Sequence, residues 1–186
     1  RQPRLCPADA GVLGSYTWYS VYDSVTDRIV KLTTGAAKIA WAPAGDPNAW
    51  TFKSPNLRGL STTQKSLWAH DKQGRRVFIV NPNTGRLYVL ALDSLTFSDF
   101  GPIPGGQIST DGTRGYCFWQ PDIHALLVHR YDTRASLVFW PDETPRRWQT
   151  LALLSEGIPT TLPVYRQGVV YKAGCWAEDA EAFVLL

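Results

Sequence analysis

Residues 76–92, RVFIVNPNTGRLYVLAL, decide how this chain is built. Val77 to Val80 is a short apolar run of β-branched and aromatic side chains. Asn81-Pro82-Asn83-Thr84-Gly85 follows, a row of strong turn formers. Leu87 to Leu92 is a second apolar run. Two such runs joined by a short loop containing Gly predict a β-hairpin.

Outward from this hairpin the same alternation of short apolar runs and turn residues continues. Upstream it predicts strands at Ser15–Asp23, Arg28–Thr33, Ala37–Ala42, Trp50–Lys53 and Leu67–His70. Downstream it predicts them at Leu95–Phe97 with Phe100, then Tyr116–Trp119, Ala125–Arg130, Ala135–Trp140 and Trp148–Leu154. The last stretch predicts Leu162–Tyr165, Val169–Cys175 and Ala182–Leu186. Gly101 to Gly115 holds five Gly and two Pro and predicts a surface loop between units. Residues 1–13 predict an extended arm.

VYDSVTDRIVKL, IVNPNTGRLYVL and VHRYDTRASLVF each read apolar run, turn with Thr, apolar run. Thr26 and Thr84 differ by 58, Thr84 and Thr133 by 49, and Leu67 and Tyr116 also by 49. This overlay gives four units, at about 14–63, 64–114, 115–161 and 162–186, in one domain after the arm. One four-stranded sheet cannot hide both of its faces, so adjacent sheets stack and share a core. The expectation is an all-β fold of antiparallel meander repeats, propeller-like with about four units. The alternative is a β-sandwich of irregular hairpins.

The turn residues Asp23, Thr26, Asn81, Thr84, Asp132 and Thr133 carry a family resemblance, as do the aromatics Trp50, Phe100 and Trp148. In these the chain resembles the kelch and galactose-oxidase-like class of β-propellers. The double glycine of kelch repeats departs from its usual strand: Gly105-Gly106 falls in a loop. Trp50-Thr51-Phe52-Lys53-Ser54 also resembles a short motif of bacteriophage virion proteins that carry propeller-like domains. That resemblance implies a virion or phage-tail component.

Composition bounds the function. Eight Trp, eight Tyr and seven Phe suit strands, and 186 residues suffice for one sizeable core. A net charge of +3 is too balanced to argue for nucleic acid. No apolar run approaches the roughly 18 residues of a membrane-spanning helix, and residues 1–13 lack the apolar centre of a signal peptide. The chain starts at Arg1 rather than Met, which suggests a processed product or a segment of a longer protein. Cys6, Cys117 and Cys175 are odd in number and widely spaced, so they make neither a disulfide framework nor a metal pattern. They read as thiols in a reducing compartment, or in a virus particle assembled in one, with a Cys117–Cys175 bridge as the alternative.

The search for chemistry returns little. His70, His124 and His129 do not converge with a carboxylate and a nucleophile in any recognised spacing. Pro102 and Pro104 occupy positions where a phosphate loop needs N–H donors. No catalytic residue, cofactor or metal site is expected. The residues expected to meet a partner are Trp50, Lys53, His70, Asp71, Asp122, His124, Arg146 and Arg147. Arg75-Arg76 and Arg146-Arg147 read as charges on solvated sheet edges. The expected function is a non-catalytic structural and interaction module with protein partners, a phage tail or other virion component being the named case. The alternatives are a carbohydrate-binding module, using exposed Trp and Tyr to take a glycan, and an enzyme on the same scaffold.

Overall fold

The computed structural model describes residues 17–33, 39–46, 49–54, 66–108, 115–130, 135–152, 174–177 and 182–185. All regular structure among them is β. The first sheet is a meander of β1 (Thr17–Asp23), β2 (Arg28–Thr33), β3 (Ile39–Pro43) and β4 (Thr51–Lys53). The second is β5 (Leu67–Asp71), β6 (Arg76–Asn81), β7 (Arg86–Ala91) and β8 (Thr96–Pro102). The third is β9 (Gly115–Gln120), β10 (Ala125–Arg130), β11 (Ala135–Trp140) and β12 (Arg147–Ala152). β13 (Gly174–Ala177) and β14 (Ala182–Leu185) form an antiparallel pair.

The hairpin of residues 76–92 is β6–β7. Its register pairs Val77 with Leu90, Phe78 with Val89, Ile79 with Tyr88 and Val80 with Leu87. Successive side chains on a strand point to opposite faces. Val77, Ile79, Tyr88 and Leu90 therefore share one face, and they pack with Val21, Val30, Leu32 and Ile39 of the first sheet. Phe78, Val80, Leu87 and Val89 share the other, and they pack with Trp119, Leu126, Val128, Leu137 and Phe139 of the third. Phe78 stacks on Trp119 with ring centroids 5.3 Å apart. A strand covered on both faces reads as a continuous apolar run rather than an alternating one, which is the pattern of VFIV and LYVL.

The first strands of the later sheets lie side by side: β5 neighbours β9, and β9 neighbours β13. Consecutive four-stranded meanders that share cores pairwise and align their first strands make a propeller-like stack. A two-sheet sandwich has no middle sheet, so that alternative does not describe the molecule.

Three expectations change. Thr26 and Thr84 each stand third in a four-residue turn, but the turns are not equivalent. Thr26 lies between β1 and β2, whereas Thr84 lies between the second and third strands of its sheet. The overlay is one hairpin out of step at the first unit, while its offset of 49 between Leu67 of β5 and Tyr116 of β9 relates the equivalent first strands of the second and third. Asp23, Asp71 and Gln120 are the matching strand ends, 48 and 49 residues apart. Thr133 lies outside the described residues.

Gly101 to Gly115 does not begin as a loop. β8 runs through Pro102, and the chain then folds back under the β6–β7 turn. Ile103 N–H donates to the Gly85 carbonyl (2.8 Å) and Ile108 N–H to that of Pro82 (2.9 Å). Both isoleucines are buried in the core between the second and third sheets. Arg130 fastens the segment from the third sheet, donating to the carbonyls of Pro104 (3.2 Å) and Gln107 (2.9 Å).

In the last stretch, β13 starts five residues later than expected and runs two residues further. It sits beside β9, so β13 and β14 correspond to the first two strands of a unit rather than its last two. Residues 1–13 and 162–165, with Cys6, lie outside the described residues.

Gly85 is the glycine this arrangement requires. Its φ is +61°, and a Cβ there would overlap the Gly106 carbonyl group. Gly85→Ala is expected to cost about 2–4 kcal/mol, combining left-handed strain with overpacking. Urea unfolding measures it, and Gly101→Ala, also at positive φ but with open space around it, is the control expected to cost less.

Candidate functional site

The densest polar structure lies where the turns after β1, β5 and β9 gather. Each of these turns has four residues and ends on a residue in the left-handed region: Asp27 (φ 47°), Arg75 (48°) and His124 (48°). The strand-end Asp makes the turn by accepting from its own loop. Asp23 takes the Val25 N–H (3.3 Å) and the Thr26 hydroxyl (2.5 Å), and Asp71 takes the Gly74 N–H (2.8 Å). Asn81 does the same in the central hairpin, accepting from Asn83 (3.0 Å) and Thr84 (3.3 Å).

Asp23, and Asp142 of the third sheet, also join sheet to sheet. Arg75 of the second sheet donates Nε (3.3 Å) and Nη2 (2.9 Å) to Asp23 of the first, and Arg28 stands 3.5 Å from the same carboxylate. Arg28 also donates to the Leu92 carbonyl in the second sheet. Arg76 donates to Asp71 beside it (2.8 Å) and grips Asp142 of the third sheet with both terminal nitrogens (2.6 and 2.5 Å). Its guanidinium lies 5.2 Å from both the Phe78 and the Trp119 ring centroids. The neighbouring arginines thus reach in opposite directions, one to each flanking sheet.

Burial raises the Asp23 carboxyl, but the bonds from Arg75 and Thr26 outweigh it and lower the group to about 2. The Arg76 bond holds the Asp142 carboxyl below its ordinary value. Arg75-Arg76 is therefore not a pair of charges on a solvated edge: both are half-buried and committed.

The residues expected to meet a partner scatter. Asp71 is buried in the joint. Lys53 donates to the Ser94 carbonyl (3.1 Å), and half-buried Trp50 carries the Lys31 ammonium 4.7 Å from its ring. His70 is half-buried on β5. Asp122 and His124 are exposed in the turn after β9, with Asp122 accepting from Gln120 (3.2 Å). Arg146 stacks on Phe100 at 3.8 Å. Arg147 pairs with Glu143 (2.8 Å) and covers the Trp140 ring. Asp71, Asp122 and His124 do lie at one end of the stack, whereas His129 is buried in β10 against the Ser136 hydroxyl (3.2 Å). Among the described residues no three His, Cys, Asp or Glu side chains gather as metal ligands, and no helix is long and apolar enough to cross a membrane.

Sequence reasoning read Asp23 as a turn residue and Arg75-Arg76 as edge charges, without their role between sheets, and did not single out Arg28 or Asp142. A signal existed. Asp-x4-Arg occurs at 23–28 and again at 71–76, the correct offset between units.

No protein-family model and no curated protein matches the chain. Among solved structures, a nidogen/laminin complex is similar over 69% of this chain and 46% of that one, at 15% identity and a TM-score of 0.42. KlHsv2 with loop 6CD replaced by a Gly-Ser linker is similar over 71% and 42%, at 11% identity and a TM-score of 0.40. The chain spans less than half the length of either.

Asp23 separates the turn from the joint. Asp23→Asn keeps an acceptor for the turn, as Asn81 does, and is expected to lose about 1–3 kcal/mol; Asp23→Ala is expected to lose more. The Asp23 carboxyl is lowered on folding, so its contribution is present above the ordinary aspartate value and fades as pH falls through about 2. Urea midpoints between neutral pH and acid check this, with Asp23→Asn expected to flatten the part of the acid loss that Asp23 supplies.

Proposed function

We propose that this chain is a non-catalytic interaction module that docks a protein partner on its first sheet. One observation carries the reading. Among the described residues four large apolar side chains stand exposed: Tyr22 (52%), Val25 (67%) and Phe52 (38%) belong to the first sheet or its turn, and Ile123 lies elsewhere. Val21 and Ile39 face the second sheet, so Tyr22, next to Val21, and Phe52, paired with Ala40, lie on the face turned away from it. The ionised side chains Asp23, Arg75, Arg76 and Asp142 are used to join sheets. Aromatic side chains on an otherwise satisfied surface favour a protein contact.

The assembly named from residues 50–54, a phage tail or other virion particle, remains a proposal resting on those five residues. The glycan-binding reading rests on the same exposed aromatics, without a described cluster of polar groups to orient a sugar.

The test uses Tyr22→Asp/Phe52→Asp in the full chain, isolated by tag from its own cells. A stoichiometric protein partner is expected with the parent and lost with the variant, at an unchanged unfolding temperature. Glycan-array binding abolished by the same variant would replace this reading with the carbohydrate one. Turnover abolished by substituting His70 or His124 would replace it with the enzyme.

We further propose that four units close a ring, with residues 1–13 adding the strand that follows β14. Deleting them is then expected to lower stability by several kcal/mol, at roughly 1 kcal/mol per ladder bond plus apolar burial. An unchanged unfolding midpoint in a monomeric truncation would remove the closure.

A further inference from the structure

His70 lies at the joint between the first and second sheets. Its cross-strand partner is Val77 and its neighbour on the same face is Trp68, both packed into the core those sheets share. The charges that act on the ring come from three places: Asp71 on its own strand, Lys72 in the following turn, and Asp23 at the end of β1. Both carboxylates are already occupied. Asp23 accepts from Val25, Thr26 and Arg75 and stands beside Arg28. Asp71 accepts from Gly74 and Arg76. Among the described residues the imidazole has no hydrogen bond. An imidazolium formed here would add to the positive charge of Lys72, and the two carboxylates that act on it already hold other partners.

We propose that His70 makes the joint between the first and second sheets acid-sensitive, holding the sheets together when neutral and loosening them when protonated. Burial first, and Lys72 second, lower the imidazole's affinity for a proton, against the smaller opposing pull of Asp71 and Asp23. The sign follows. A histidine that titrates lower when folded than when unfolded supports the fold above its ordinary value of 6.5, and that support is lost as pH falls through the folded value. Asp23 does not share this window, because its carboxyl stays ionised down to about 2. Acid loss on the histidine range and acid loss on the carboxylate range are therefore separable, and His70→Gln isolates the share of the first that belongs to this joint. Such a device would let the partner-binding sheet change its hold on the rest of the stack on entry to a mildly acidic compartment.

The experiment compares urea midpoints of the full chain and its His70→Gln variant at pH 7.5 and about pH 5.5, with an NMR titration of the His70 ring in the parent. The parent is expected to lose stability across this interval, and His70→Gln to lose measurably less. The ring is expected to titrate below its ordinary value, and amides of β1 and β2 to shift with the same midpoint. An equal loss in His70→Gln, or a ring titrating at or above 6.5 in the parent, would overturn the proposal. The NMR arm decides the matter even if the variant does not fold.

Discussion

Val77 and Ile79 pack on the first sheet while Phe78 and Val80, one residue out of phase on the same strand, pack on the third. This two-sided burial is the constraint on which the architecture rests. A meander of four strands has two faces and can satisfy only one by itself. The second sheet satisfies both by lying between neighbours, and its central strands carry no polar side chain from Val77 to Val80. Each of the four is at most 1% exposed. A one-residue slip in the β6–β7 register would exchange the two faces and set Phe78 against the first sheet, away from Trp119.

Apolar faces of this kind hold sheets together without fixing how they are turned. The arginine contacts supply that direction. A guanidinium meeting a carboxylate through two parallel bonds accepts one relative orientation, whereas packed aliphatic surfaces tolerate many. Arg76 meets Asp142 in this way, and Arg75 meets Asp23. Burying these ions has a desolvation cost that the pairing offsets only when the remaining lone pairs are also used. At Asp23 they are used: the carboxylate that holds Arg75 also closes its own turn. One side chain thus shapes a loop and orients the next sheet, which explains why Asp and Arg recur at one spacing.

What the sequence made legible follows from the range of each interaction. The central hairpin could be read directly, because its evidence lies within seventeen consecutive residues, and β10 and β11 match the expected bounds for the same reason. Ile103 and Ile108 could not be placed. They are isolated apolar residues among Gly and Pro, and what buries them is the underside of a turn about twenty residues earlier. The arginines misled for a related reason. Arg75 and Arg76 find their cross-sheet carboxylates 52 and 66 residues away, on opposite sides, and the one local sign, Asp71 five residues before Arg76, does not reveal either. Lys53 likewise meets a carbonyl 41 residues away, which no local pattern reveals. Thr26 and Thr84 resemble each other because both fill the third place of the same kind of turn. Local resemblance established the turn type and could not say which hairpin of the unit it closed.

The repeat also diverges where its third unit begins, and the divergence has a structural consequence. Gln120 stands where Asp23 and Asp71 stand, and Ala125 where Arg28 and Arg76 stand. Gln120 turns its amide to Asp122 within its own loop, and its Oε1 is buried without a hydrogen bond. The third sheet therefore receives an arginine from the second but offers none onward from this position. β13 and β14 keep the spacing, with Ala177 paired to Ala182, yet place no charge at either end of it. The two joints among the first three sheets are keyed by ion pairs, and the boundary with β13 has lost both members of the key at these positions. Among the described residues the ion-pair key is thus confined to the first three sheets, and β13 is placed beside β9 by strand adjacency.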